Sequence, residues 1–391
     1  MERAVIIDGA RTPIGNFMGS LAEVPAVDLG IVAVKEALSR ANVEPGAVDQ
    51  VVMGHARQAG NGPNPGRQVA YRSGIPQEVP AFTVNMACGS GVKAVETAAN
   101  DILLGNAEVA VAGGQENMSR TPYLLYGMRG GYRMGNQTVY DGMSRDGFLD
   151  PLCGLSMGET AENLARKYEI SRQEQDEFAL ATQQKAEAGK ERRAKEIVAV
   201  EVPGRKGAVT VFSEDEHPRA DTTLETLGKL KPTFAKDGTV TAGNSSGITD
   251  AAAALVLMSE SRARAEGREP LARIVAAASA GVDPAYMGIG VVPAVQRVLE
   301  KTGLSINDFD VIELNEAFAA QVLAVDRELK LDHDKLNPNG SGIALGHPIG
   351  MTGARIVLTT AYEMREKGYS LGLATLCISG GMGMAMVLER A

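Results

Sequence analysis

The chain has 391 residues, too many for one small core, so two or three folding units are expected. A net charge of −9, no Trp and only 4% aromatic residues offer neither a cationic surface nor a stacking platform, which argues against nucleic acid and anionic membranes as partners. The longest apolar run, near residues 251–258, is far short of a bilayer span.

In chain order, MERAVIIDGARTPIG reads as a strand and a turn, without the layout of a signal or transit peptide. Three cysteines with no CxxC pair, Cys88, Cys153 and Cys377, fit a reducing compartment, and a cytoplasmic location is expected. Residues 31–52 read as an amphipathic helix, a turn and a buried strand. Residues 84–100, VNMACGSGVKAVETAAN, run from an apolar strand through Cys88 and Gly-Ser-Gly into a helix. A cysteine there sits at a helix N-terminus, where the dipole and free N–H groups favour a thiolate and could hold an oxyanion. The same local pattern also suits an inert buried cysteine. The long segment that follows is polar and charged, with ERRAKE at residues 191–196, and reads as helices and loops covering one face.

The chain then repeats itself. Residues 292–313 resemble residues 31–52, with Ala33, Val34, Leu38 and Asp49 meeting Ala294, Val295, Leu299 and Asp310 at one offset (294 − 33 = 261). MTGARIVLTTA echoes GSGVKAVETAA, with Gly353 meeting Gly91, and LGLATLCISGG echoes AEVAVAGG. Two similar α/β halves are inferred, residues 1–120 and 250–391, with residues 121–249 as an insertion that returns to the first half. The apolar runs VVMG and VIELN point to mostly parallel buried sheets.

The second half carries the other candidates. Asn315 and Glu316 follow the strand-like VIEL. His347 lies between Gly346 and Pro348, in the turn before the helix that matches the one behind Cys88. Cys377 ends an apolar strand before a glycine-rich turn. Each has a bland reading as a core or structural residue, but four strand ends bring Cys88, His347, Cys377 and Asn315 where open α/β sheets place ligands. His55 and His333 read as structural, and His217, in the acidic stretch SEDEHPRAD, reads as exposed. The Cys and His spacing offers no closed metal site, and no complete GxGxxG, HExxH, GxSxG or Walker motif occurs.

Over essentially the whole chain, ARTPIG, CGSG, MGETAEN, VTAGNSSGITDAAA, NEAFAAQ, NPNG, GHPIGMTGAR and CISGGMG resemble, in order and spacing, the thiolase family. The resemblance implies a five-layered αβαβα fold of two pseudo-symmetric halves with an inserted loop domain, in a homodimer or homotetramer. It implies reversible Claisen condensation of two acetyl-CoA to acetoacetyl-CoA and CoA, with CoA thioesters as substrates and no other cofactor. Cys88 would be the acylated nucleophile and His347 its activator. Cys377 would exchange the α-proton, and Asn315 would complete the enolate oxyanion site through a water. Backbone N–H groups of Cys88 and Ser379 would form the second oxyanion hole. Met157, Arg219, Phe234, Ala242, Ser246, Met287 and Phe318 would line the CoA path. The sequence departs from the family pattern at Ser379, where glycine is usual, at Met351, expected to narrow the site, and at Ser156, where short-chain enzymes often carry His. Thiolysis of longer 3-ketoacyl-CoA is the alternative. More distant ones are a decarboxylating ketoacyl synthase and an inactive acyl-CoA-binding subunit.

Overall fold

The computed structural model describes residues 2–204 and 207–391. Its main strands are β1 (Ala4–Arg11), β2 (Gln50–Gly54), β3 (Ala81–Val84), β4 (Val109–Asn117), β5 (Thr249–Ser259), β6 (Ala272–Gly281), β7 (Val311–Leu314), β8 (Leu371–Ile378) and β9 (Met382–Glu389). The first half runs in the order β3-β2-β4-β5-β1 and the second in the order β7-β8-β9-β6. Both follow one pattern. β3 and β4 flank β2 in parallel, as β8 and a bridge from Leu336 flank β7. The next two pairings in each half are antiparallel. β1 and β6 then join the halves through Val5–Arg273 and Ile6–Ala272.

The sheets are therefore mixed and not mostly parallel. The apolar runs arise because strands are covered on both faces, which does not fix their direction. In β5, Ala251, Ala253, Leu255 and Leu257 enter one core while Ala252, Ala254, Val256 and Met258 enter another. β5 pairs only with strands of the first half, so residues 250–259, assigned from sequence to the second half, belong to the first-half sheet.

Five layers result. Helix α1 (Ala26–Arg40) covers the outer face of the first sheet with Leu29, Ala33, Val34 and Ala37. Helix α5 (Val291–Thr302) covers the second with Val291, Val295 and Val298. Between the sheets lie α2 (Ser90–Leu103) and α7 (Ile349–Lys367), which share one core with both. Every residue of α7 from Ile349 to Met364 is buried, as a helix enclosed on all sides requires. A Cβ on Gly91 would come 3.0 Å from the Gly353 carbonyl carbon, and one on Gly353 would come 3.1 Å from that of Gly91. The two glycines matched by the repeat therefore touch each other, and the central helices cross there at backbone distance.

The insertion supplies α3 (Met157–Lys167) and α4 (Arg172–Ala188), each opened by a capping box, Ser156 with Glu159 and Ser171 with Glu174. Ser156 thus has a local structural role at this position. The charged run at residues 191–196 turns inward. Arg192 pairs with Glu196 and Glu363, Arg193 with Asp215, and Arg11 with both Glu196 (3.1 Å) and Asp215 (2.7 Å). Such a network is tolerated in a core because each charge meets several partners. No helix of the described residues is long and apolar enough to cross a membrane.

Candidate active site

Cys88 sits on the turn between β3 and α2. Ala87 takes a left-handed φ of 45°, a strained value for a residue with a Cβ. Ser90 holds the turn, its hydroxyl accepting from Met86 N–H (2.9 Å) and donating to the Ala87 carbonyl (2.7 Å). Gly89 lets the turn lie on the end of β8, since a Cβ there would come 2.5 Å from Ile378 Cδ1. Burial pushes the Cys88 thiol up, opposed by backbone N–H groups of Ser379 and of Cys88 itself and by the charge of Arg57. The N–H pair expected to hold an oxyanion thus faces the Cys88 sulfur. Ser379 has no positive φ, whereas Gly380 and Gly381 do (86° and 74°), so serine is accommodated where the family usually has glycine.

His347 comes from the loop between the turn Gly342–Leu345 and α7, not from a strand end. Its backbone N–H donates to the Gly247 carbonyl at 3.0 Å. Its Nδ1 lies 2.7 Å from Thr352 Oγ1, and that hydroxyl donates its one proton to the Pro348 carbonyl at 3.0 Å. The Thr352 oxygen can then only accept from His347. The network therefore assigns the proton to Nδ1 and leaves a lone pair on Nε2, which is buried without a protein partner. Burial, reinforced by Arg355 and Arg57 against Glu116, drives the imidazole down to about 3, so it is neutral and free to accept a proton.

Cys377 is fully buried in β8, and its thiol is pushed up by burial and then by the charge of Cys88. Asn315 follows β7, anchored by its N–H to the Thr375 carbonyl (3.0 Å), with neither side-chain atom bonded to protein. A buried amide with both ends open is the arrangement that holds a water.

Cys88, His347 and Ser379 line one cavity of about 710 Å³, while Cys377 and Asn315 are not among its lining residues. All seven residues expected on the CoA path line it. Met157, Phe234, Met287 and Phe318 give an apolar wall, with Phe234 and Phe318 edge to face at 6.1 Å, and Arg219, Ala242 and Ser246 complete it. Arg129 and Arg133 are exposed and line no part of it. Met351 does not narrow the site. It is buried in the central core, on the opposite side of the helix start from the cavity-lining Ile349.

The cavity wall also holds His217 and Arg57, which the sequence does not mark as site residues. His217, read as exposed, is largely enclosed there. Its Nδ1 lies 2.6 Å from Asn16 Oδ1, its ring lies over Gly247, and burial takes it down to about 4. The acidic stretch does not carry it outward, because Glu216 turns back to accept from the backbone N–H of Asn16 (2.8 Å). Arg57 enters the wall from the loop after β2, and nothing in HARQAG marked it. Among the described residues no cluster of His, Cys, Asp or Glu is placed to hold a metal.

This architecture, a cysteine and a neutral histidine at the starts of two central helices, is that of an acyltransferase. Residues 4–261 match the family model of the thiolase N-terminal domain and residues 268–390 that of the thiolase C-terminal domain. The chain belongs to the thiolase family. It is 54% identical over 393 aligned residues to the acetyl-CoA acetyltransferase of Escherichia coli and 52% identical over 392 to that of Pseudomonas aeruginosa, each covered at 100% of both chains. The solved acetyl-CoA acetyltransferase of Bacillus anthracis superposes with a TM-score of 0.97 at 47% identity, covering 100% of this chain and 99% of that one. Human mitochondrial 3-ketoacyl-CoA thiolase in complex with CoA superposes at 0.95 with 41% identity, covering 100% and 98%.

Proposed function

We propose that the protein is an acetyl-CoA C-acetyltransferase, joining two acetyl-CoA into acetoacetyl-CoA and CoA reversibly through an acyl-Cys88 intermediate. The observation that carries this is the convergence of Cys88, the lone pair of His347 and the Ser379 N–H on one apolar-walled cavity. His347 Nε2 takes the Cys88 proton as sulfur attacks the thioester carbonyl. The oxyanion is met by the N–H groups of Cys88 and Ser379. A resting pair of neutral thiol and neutral imidazole suits this, because no isolated charge is kept in the dry site before substrate arrives. The adduct collapses, the first CoA leaves with the Cys377 proton, and the Cys377 thiolate then removes the α-proton of the second acetyl-CoA. His347 and a water on the open amide of Asn315 hold the enolate oxygen; the enolate attacks acyl-Cys88, the bond from carbon to the Cys88 sulfur breaks, and Cys88 recovers its proton from His347. These steps use only the chain's own side chains and the CoA thioesters, with no metal or prosthetic group.

Intact-mass spectrometry after mixing with acetyl-CoA should give a single acetyl adduct on Cys88, and its absence refutes the assignment. Cys377→Ala should still take up that acetyl group but lose condensation; normal condensation would remove Cys377 from the proton step. A clear preference of steady-state thiolysis for 3-ketoacyl-CoA of eight or more carbons over acetoacetyl-CoA would favour the longer-chain activity instead. Three free thiols support a reducing, cytoplasmic setting. The open edge of β3 and the exposed Tyr123, Leu125, Tyr126 and Met128 support a homodimer or homotetramer.

A further inference from the structure

Five arginines are buried among the described residues: Arg11, Arg57, Arg192, Arg193 and Arg355. Four are paired with carboxylates, Arg11 with Glu196 and Asp215, Arg192 with Glu196 and Glu363, Arg193 with Asp215, and Arg355 with Glu313. Arg57 is the exception. It is only 7% exposed, its Nε is sealed from solvent without a partner, and its guanidinium meets no hydrogen-bond acceptor or carboxylate of the described chain. Glu116, beside it, is already engaged. One oxygen accepts from the Arg57 backbone N–H (3.0 Å) and lies 3.2 Å from His55 Nε2 without hydrogen-bond geometry. The other accepts from Ala56 N–H (3.1 Å) and Gly350 N–H (2.8 Å). The guanidinium rests against Gly147, where a Cβ would come 2.6 Å from its Cζ, and it forms the cavity wall together with Cys88, Phe148 and Ile349. A largely buried cation whose Nε is sealed without a partner, and whose terminal nitrogens meet no acceptor of the described chain, is costly unless a ligand supplies the acceptor, and a planar fork of this kind fits a carboxylate.

We propose that Arg57 anchors a carboxylate at the far end of the acyl group carried on Cys88, so that the enzyme also cleaves and forms 3-oxoacyl-CoA thioesters whose chain ends in a carboxylate. This rests on the thiolase reading above and extends its substrate class. The chemistry balances without an oxidant or reductant. Cys88 gives its proton to His347 and attacks C3, the C2–C3 bond breaks, and C2 takes the Cys377 proton and leaves as acetyl-CoA. The carboxyacyl group then passes from Cys88 to the sulfur of an incoming CoA. The CoA thiol proton returns to Cys377, and Cys88 recovers its own from His347. An acetyl group, having no such end, leaves Arg57 unused.

The test is thiolysis by the full-length enzyme of two equally long thioesters, 3-oxoadipyl-CoA and 3-oxohexanoyl-CoA, with acetoacetyl-CoA as a third substrate. The wild type should favour the carboxylate-ended thioester in kcat/KM by about tenfold or more, the scale on which a site built for a charged hydrogen bond discriminates. Arg57→Leu should erase that ratio and Arg57→Lys should keep part of it. No preference in the wild type overturns the proposal, as does an Arg57→Leu variant that slows both thioesters alike, because Arg57 would then act on the reacting thiol. Failure of the wild type on acetoacetyl-CoA is a different result, and it counts against the function proposed above.

Discussion

The first half of the molecule presents α2 to the cavity behind the strained turn at Ala87, and the second presents α7 behind the loop carrying His347. The scaffolds agree over four strands, with a bridge from Leu336 where the first half has β3, and they meet at the contact between Gly91 and Gly353. Their loads differ. One helix start is aimed by a glycine-serine turn and carries a thiol. The other is led in by Gly346, at φ 91°, and carries an imidazole held by Thr352. Duplication explains why two helix N-termini meet at one place. The divergence of the two turns explains why a thiol and an imidazole meet there and not two copies of one group.

Removing the load from either side should have the largest effect. Cys88→Ser and His347→Ala should each lower acetoacetyl-CoA thiolysis by at least about a thousandfold, since nucleophile and base act as a unit. A double variant no worse than the singles would confirm that unity, whereas multiplying losses would break it.

Removing the shared scaffold contact should unfold the protein without touching the chemistry. Gly353→Leu drives a side chain into the backbone of α2 at Val92 and should cost about 3 kcal/mol or more. Gly46→Ala, with nothing within 4 Å of the new Cβ, is the control and should change stability by less than about 0.5 kcal/mol. Equal melting temperatures for the two variants would contradict the close crossing.

Thr352→Val should slow turnover about tenfold or more by releasing the His347 tautomer, with Thr352→Ser restoring it. A valine variant with wild-type kcat would show that the ring is held by its burial alone.

The smallest effect concerns pH. His347 has a folded-state value of about 3, below its ordinary 6.5, so the unfolded chain binds the proton more readily. The stability from keeping the ring neutral is full above 6.5 and is lost as pH falls toward 3, by at most about 1.4 kcal/mol per pH unit. Glu313, raised to about 8, and Asp250, raised to about 6, pull the other way, and His217 pulls with His347. The measurement is therefore the difference between wild type and His347→Asn in denaturant unfolding at pH 6.5 and 5. The variant should lose less stability on acidification, and identical slopes would refute a neutral buried imidazole.

Local chemistry made part of the site legible in the sequence. Gly-Ser-Gly after Cys88 and Gly-His-Pro around His347 are turns whose backbone demands are written in neighbouring residues, and the repeat announced two related halves before any coordinate. Residues whose meaning depends on partners far along the chain were not legible. Arg192 and Arg193 look solvated until Glu363 and Asp215 close over them, and His217 looks exposed until Asn16 meets it. Met351 looks like a site residue until the packing around α7 turns it into the core. Strand direction escaped as well, because burial on both faces leaves the same apolar run whichever way the neighbour points.

The amino-acid order by itself determined the periodicities, the two helix-opening turns and the residue types fit for acyl transfer, since these depend on φ/ψ preference and on side chains a few positions apart. Only the tertiary structure decided which sulfur lines the cavity, which ring nitrogen holds the proton and which buried arginine goes without a carboxylate. Those depend on desolvation and on hydrogen-bond partners brought together across hundreds of residues.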